Sequence, residues 1–215
     1  VGIDYGTSKT YRGVLAAEQS QYSAPYFSYT GKKDITLSLT LLNMKGNSAT
    51  IDETDLGLSY DFRMGKKWSG GVSYMYSMFN PNSRQVNSSL YNSAQLMFKR
   101  RGSGFNNKFM FDYAWGEAGN NDFSITFATY HNFEKEYSEY KYLSFSPRFN
   151  IIAGTTNFIG SGIKKELSSG KKLSEAIGSR FAVIALELKF PLSYTYKKFT
   201  IEASYKFSFP VNQPK

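Results

Sequence analysis

Between Phe181 and Phe209 the chain alternates so strictly that few structures can accommodate it. Ile184, Leu186, Leu188, Phe190, Leu192 and Tyr194 fall on one side, and Val183, Ala185, Glu187, Lys189, Pro191 and Ser193 on the other. After a tight Tyr196-Lys197-Lys198 turn, Phe199, Ile201, Ala203, Tyr205, Phe207 and Phe209 alternate with Thr200, Glu202, Ser204, Lys206 and Ser208. Successive side chains of a strand point to opposite faces, so a period of two through both arms dictates a β-hairpin with one apolar and one polar face. Each arm has about the 9–11 residues that a tilted strand needs to cross a bilayer.

The same unit repeats upstream. Strand one spans about Val1 to Leu15 and is the least regular, with Lys9 on its apolar side; strand two carries Phe27 and Tyr29. Ile35, Leu37, Leu39 and Leu41 form strand three, and Leu56, Leu58, Tyr60, Phe62 and Met64 strand four. Val72, Tyr74, Tyr76 and Met78 define strand five, Leu96 and Phe98 strand six, and Phe109, Phe111, Tyr113 and Trp115 strand seven. Strand eight has Phe123, Ile125, Phe127 and Phe133, and a charged turn from Glu134 to Lys141 leads to Leu143, Phe145, Phe149 and Ile151 of strand nine. A long irregular loop, about 154–179, precedes the final hairpin. Pro147 and Pro191 fall inside strands, where each removes a ladder donor, and local bulges are expected there. No linker or composition shift divides the chain, so 1–215 is one domain.

Composition narrows the class. Aromatic residues make up 17% of the 215, yet mean hydropathy is −0.42 and no apolar run approaches the length of a membrane helix. A transmembrane barrel has this profile, because every second residue is polar and hydropathy averages out. The absence of cysteine excludes disulfides, thiolate metal sites and cysteine nucleophiles. The chain starts at Val1 without a charged and apolar leader, which fits a mature chain or a fragment whose export signal has been removed. The net charge of +9 gathers in short turns (Lys32-Lys33, Lys66-Lys67, Lys99-Arg100-Arg101, Lys197-Lys198) and in the long loop at Lys164-Lys165 and Lys171-Lys172. A nucleic-acid binder would array its basic residues on one face with exposed aromatics between them, so nucleic acid is excluded as a partner.

Three features put the apolar side outward. About eleven strands make a barrel too wide for inward side chains to fill, with no helix to plug it. The polar side is mostly Ser, Thr, Gly and Ala, sparser in charge than a water-facing sheet. Aromatics recur near strand ends, as interfacial girdles do. The expected fold is an all-β, transmembrane, antiparallel up-and-down barrel. Such barrels normally have even strand counts. Twelve strands are therefore expected, about eleven visible here and a closing strand missing after Asn212-Gln213-Pro214-Lys215; ten is the alternative. Short basic turns mark the periplasmic end and longer connections the outer one, including the long loop as an extracellular segment. The lysine tips would then lie near inner-leaflet headgroups.

Tyr11-Arg12-Gly13, Pro25-Tyr26-Phe27-Ser28-Tyr29, Phe190-Pro191-Leu192-Ser193-Tyr194-Thr195-Tyr196 and Phe209-Pro210-Val211-Asn212 give the chain a further likeness. It resembles the small outer-membrane β-barrel proteins of Bacteroidota, a poorly characterised group. The resemblance runs over most of the chain as strand signatures without a catalytic motif. It implies the outer membrane of a Gram-negative bacterium, with the bilayer and its lipopolysaccharide leaflet as surroundings. Members usually end in a further strand with a terminal aromatic, and this chain departs from that.

Catalytic constellations are weak. His131 is the only histidine and sits on the outward side of strand eight. Outer-membrane phospholipases place a nucleophilic Ser two positions after such a His; here Phe133 stands there, with Asn132 between, so no nucleophile–base pair forms. His131 with Glu134, Glu136 and Glu139 matches no ligand spacing. Gly102-Ser103-Gly104 lacks the strand–helix setting of a phosphate loop, and Asn87-Ser88-Ser89 matches a glycosylation sequon by chance. No metal or cofactor is expected.

The polar side is more informative. It carries Asp4, Arg12, Asp61, Arg63, Lys99, Lys108, Asp112, Arg148, Glu187, Lys189, Glu202 and Lys206 as lumen-lining charges. Both signs alternate along strands, as in Asp61 with Arg63, Glu187 with Lys189 and Glu202 with Lys206. That balance favours an ion-paired interior over a charge filter, since a selective pore shows one dominant sign. The sequence therefore points to a non-catalytic outer-membrane barrel serving as an accessory or scaffold through contacts with other outer-membrane or periplasmic proteins. The alternative is a narrow, porin-like passive channel, and a third, weaker option is a lipid-modifying enzyme.

Overall fold

The computed structural model describes residues 1–7, 10–11, 14–15, 21–46, 50–81, 90–116, 121–155 and 181–211. Arg12, Asn87-Ser88-Ser89, the terminal Asn212–Lys215 and nearly all of the long loop, with its lysine pairs, lie outside them.

The described residues fold into antiparallel strands without a helix. In chain order these are β1 (Gly2–Gly6), β2 (Thr10–Tyr11), β3 (Val14–Leu15), β4 (Tyr22–Thr30), β5 (Ile35–Met44), β6 (Glu53–Arg63), β7 (Trp68–Phe79) and β8 (Leu90–Arg100). They continue as β9 (Asn106–Gly116), β10 (Asn121–Tyr130), β11 (Phe133–Ser138), β12 (Lys141–Phe145), β13 (Arg148–Gly154), β14 (Ala182–Tyr196) and β15 (Phe199–Pro210). Thirteen of them form one up-and-down sheet, while β2 and β3 pair only with each other. The sheet is not closed: β1 pairs with β4 and β15 with β14, and the outer edges of β1 and β15 have no described partner.

The alternating hairpin is β14 and β15, in register from Tyr196↔Phe199 to Ala185↔Pro210. Lys197 at its two-residue tip has a φ of 54°, the left-handed geometry that lets a tight turn follow the twist of its strands. The short turns 31–34, 64–67, 101–105, 139–140 and 197–198 lie at one end of the sheet, and the connections after β5, β7, β9 and β13, mostly longer, lie at the other.

Burial separates the faces. Across seven neighbouring strands one row of partners reads Tyr29, Leu37, Leu58, Tyr74, Ala94, Tyr113 and Phe123. Its six large side chains are all exposed. A second row reads Phe62, Gly70, Phe98, Phe109, Phe127, Ile151, Leu186 and Phe209. On the opposite face Ser77, Ser124, Thr126, Ala128, Ala185 and Glu187 are buried. The apolar face is thus the outer one and the polar face the covered one. The edge strands β15 and β1 expose both, as do β11 and the second half of β4.

Four sequence expectations need correction. Strand one does not run to Leu15: it ends at Gly6, and the following residues make the separate β2–β3 ribbon. The segment Glu134–Lys141 is mostly not a turn, because β11 continues to Ser138 and the tip is Glu139-Tyr140. Val183 points outward and Ile184 is buried at 4% exposure, the reverse of the simple alternation. Ile152 pairs with Ala185 but Ala153 with Val183, so Ile184 is an extra residue that flips the parity.

The fourth concerns the prolines. Bulges were expected, yet the register carries straight through. Arg148 faces Lys189 and Phe145 faces Leu192, three residues on in each strand. Tyr130 likewise faces Arg148, and Phe133 faces Phe145. In between, Ser146 donates to the Pro191 carbonyl at 3.1 Å, and His131 to the Pro147 carbonyl at 3.3 Å. The return bond is missing in each pair because proline has no N–H. Hence β10 with β11, and β12 with β13, are each one strand interrupted by a lost bond. Counted so, the described sheet has eleven through-going strands, against twelve expected with about eleven visible.

At the long-connection end the covered face turns apolar. Ala24, Leu42 and Met44 form a buried cluster flanked by Tyr22 and Phe79. Asp52, fully buried, closes it: its Oδ2 accepts the Met44 amide at 2.7 Å, and its own amide donates to the Leu42 carbonyl at 2.8 Å. Asp52→Ala leaves the buried Met44 amide without that acceptor and should lower stability by about 1–3 kcal/mol in urea unfolding. Lys33→Ala, in the exposed 31–34 turn, provides the comparison.

Candidate functional site

The covered face presents its charges in rows. One reads Arg63, Ser69, Lys99, Lys108, Ala128, Asn150, Glu187 and Ser208 across β6 to β15. The next row toward the short turns reads Asn106, Tyr130, Arg148, Lys189 and Lys206. Lys99 and Lys108 are directly opposed, and Arg148 stands 5.0 Å over the Tyr130 ring.

Acids and polar residues are tied across strands. Glu187, 7% exposed, accepts from Asn150 Nδ2 at 3.1 Å and pairs with Lys206 Nζ at 3.7 Å. Gln95 Nε2 donates to Asp112 Oδ1 at 2.6 Å, and Ser77 Oγ to Asp55 Oδ1 at 2.5 Å. The expected pairing within strands is thus partly replaced by pairing between them: Lys206 reaches Glu187 on β14, with Glu202 exposed on its own strand. Asp4 and Glu202 lie on edge strands and are exposed, and Asp61, opposite Gly71, is exposed as well. Lys189 is half-buried between Arg148 and Lys206. Arg12 lies outside the described residues.

Sequence reasoning missed the buried acids Asp52, Glu53 and Asp122, all at the long-connection end. Asp122 accepts from Thr155 Oγ1 at 2.9 Å, while the Thr155 hydroxyl oxygen accepts the Phe123 amide at 2.9 Å. Asp52 lies just before β6, outside the alternating run of Leu56 to Met64, and alternation carries no signal beyond a strand's end. Also missed was the convergence of the basic turns. Arg63, Lys66, Lys67, Lys99, Arg100 and Arg101 line one cavity of about 620 Å³ at the short-turn mouth of the covered face, with Trp68, Tyr130 and Asn132 also on its wall. Among the described residues that line it, none is acidic.

His131 sits where β10 gives way to β11, on the outer face. Its Nδ1 meets the Gly104 carbonyl, and its ring lies 5.7 Å from Phe105 and 4.3 Å from Phe133. An aromatic nest around an imidazole, with Phe133 where a hydroxyl nucleophile would have to stand, offers no acyl-transfer geometry. Among the described residues no three His, Cys, Asp or Glu side chains gather closely enough to hold a metal ion. Compared with known proteins, the chain matches no protein-family model, no curated protein and no solved structure.

The covered network should be stiffest at Glu187. Glu187→Ala removes the acceptor of Asn150 Nδ2 and the Lys206–Glu187 ion pair and should cost about 2 kcal/mol in urea unfolding. Glu202→Ala on the exposed edge should change stability by no more than about 0.5 kcal/mol in the same assay.

Proposed function

We propose that this chain is the wall of a membrane-spanning β-barrel in the outer membrane of a Gram-negative bacterium, a non-catalytic accessory or scaffold protein. Its partners are the bilayer, with a lipopolysaccharide outer leaflet, and other envelope proteins. The observation that carries the proposal is the pair of apolar rows crossing the outer face over a polar, cross-linked covered face. Soluble monomers rarely expose apolar patches beyond a few hundred Å². At about 4.8 Å between strands, the longer row alone runs some 34 Å.

Rings at the two ends add support. Tyr74, Tyr113 and Trp115 cluster at 5.5–6.0 Å near the long connections. At the other end Trp68 lies under Arg100, and Tyr196 under Lys141 and Lys197. Aromatic rings beside cationic side chains suit the two water–lipid boundaries. Tying the acids of the covered face to neighbours across strands favours a structural, cross-linked lining over a charge filter.

Lipid imposes closure, because an unpaired sheet edge is intolerable in hydrocarbon. With eleven through-going strands, β1 and β15 run in the same direction. Direct pairing makes a parallel joint, whereas an added strand makes two antiparallel ones.

Purified from membranes in mild detergent, the chain should migrate differently in SDS gels before and after boiling, and it should co-purify with envelope proteins. A chain that is monodisperse without detergent overturns the membrane reading. Steady single-channel steps in planar bilayers, with selectivity altered by Arg148→Ala, would replace the scaffold role with a channel. Cysteine pairs scanned between Gly2–Gly6 and Phe199–Pro210 should cross-link if the joint is direct and stay separate if a further strand intervenes.

A further inference from the structure

We infer that the cavity at the short-turn mouth is a binding site for a polyanion bearing phosphate groups. Three places distant in sequence converge on it: the end of β6 and its turn supply Arg63, Lys66 and Lys67, the end of β8 and its turn Lys99, Arg100 and Arg101, and the β10–β11 junction Tyr130 and Asn132. Six cations around one volume, with no carboxylate among the described lining residues, is an arrangement that repels itself when empty. Like charges directly opposite on neighbouring strands destabilise a sheet, and half-buried Lys99 faces half-buried Lys108. An anion between the turns turns that repulsion into attraction.

A second observation points the same way. The Nε–H of Arg148 is buried and has no hydrogen-bond partner among the described residues. Its guanidinium rests on Tyr130, a wall residue of the cavity. Buried polar groups are normally satisfied, so this guanidinium, stacked on a wall residue though not itself on the wall, is a donor short of an acceptor at the edge of the cationic basin. Acids of the covered face do not reach the wall: Asp112 accepts from Gln95, Glu187 is held by Asn150 and Lys206, and Asp61 and Asp112 act on Lys108, which lies off the wall.

The chemistry of the donors selects the ligand class. Arginine presents a planar fork that matches phosphate oxygens in pairs, and lysine adds point charge. Three of each, spread around about 620 Å³, exceed what a single small monoanion can engage. The volume suits a diphosphate or a phosphate on a larger body. Such a group can arrive free in solution or as a lipid headgroup, since the mouth also carries the exposed Trp68 ring. The site goes beyond the scaffold reading and does not depend on it.

Trp68 is a built-in reporter, and the only other tryptophan, Trp115, lies at the opposite end of the sheet. In the Trp115→Phe protein, full length and folded in zwitterionic micelles, Trp68 emission is followed while inorganic pyrophosphate is added. A parallel titration uses micelles doped with phosphatidic acid. A saturable change with either probe is expected, pyrophosphate alone marking a soluble source and phosphatidic acid alone a lipid one. Lys99→Gln and the turn variant Arg101→Gln should each weaken binding by about tenfold, the loss of one charge-assisted contact. The double variant Lys32→Gln, Lys33→Gln, at a turn outside the cavity, should bind as the parent does.

No saturable change with either probe overturns the inference. So does an equal loss in the Lys32, Lys33 variant, which would mean attraction to net charge alone. Gel mobility before and after boiling, measured on the same samples, keeps a failure of the membrane reading separate from a failure of the site.

Discussion

Backbone hydrogen bonding governs this molecule more than any side-chain contact. Without helices among its described residues, the chain satisfies its amides almost wholly by pairing between strands, and each strand contributes to its neighbours what it cannot provide for itself. The consequences follow in order. Continuous ladders hold the alternation in step, and that step sends Leu and Phe outward and Ser, Thr and Glu inward. The inner charges can then meet only partners on adjacent strands. Glu187 with Asn150 and Lys206 is what register makes possible. Where pairing ends, at β1 and β15, the distinction between faces ends too, and both sides become exposed.

Much of the fold could be read in the chain because a period of two is a local signal. Leu37, Leu58 and Tyr74 declare their side without reference to any distant residue. Errors arose where one residue broke the count. Ile184 is inserted against Ile152 and Ala153, and nothing in its own chemistry announces the insertion. Pro147 and Pro191 misled in the opposite sense: each costs a bond, yet neither shifts the register, because the flanking pairs hold on both sides. The run from Glu134 to Ser138 looked like a turn because charge is a poor strand signal, yet β12 beside it supplies the ladder.

The candidate site was legible only in fragments. Lys66-Lys67 and Lys99-Arg100-Arg101 are visible as basic pairs and triplets at turns, each explicable as a solvated tip. Their convergence on one cavity depends on the register between β7 and β8, where Ser69 faces Lys99 and Trp68 faces Arg100. Periodicity gives the face of a residue but not its neighbour, so separation of basic residues toward one mouth could not be foreseen from the balance of signs. The buried acids at the far end were hidden for a related reason. Asp52 and Asp122 sit where strands begin, and their roles are defined by the Met44 amide and the Thr155 hydroxyl across the gap.

The two prolines also have a mechanical consequence. The missing donors lie next to one another, at Pro147 and Pro191, and so form a line across β10/β11, β12/β13 and β14. Above that line β10, β13 and β14 are each braced on both sides; below it β11 has a described neighbour on one side only. A sheet creased in this way bends along the crease, much as scored card does. The lower flap carrying Tyr137, Tyr140 and Lys141 can therefore lean without disturbing the acids knitted together above it.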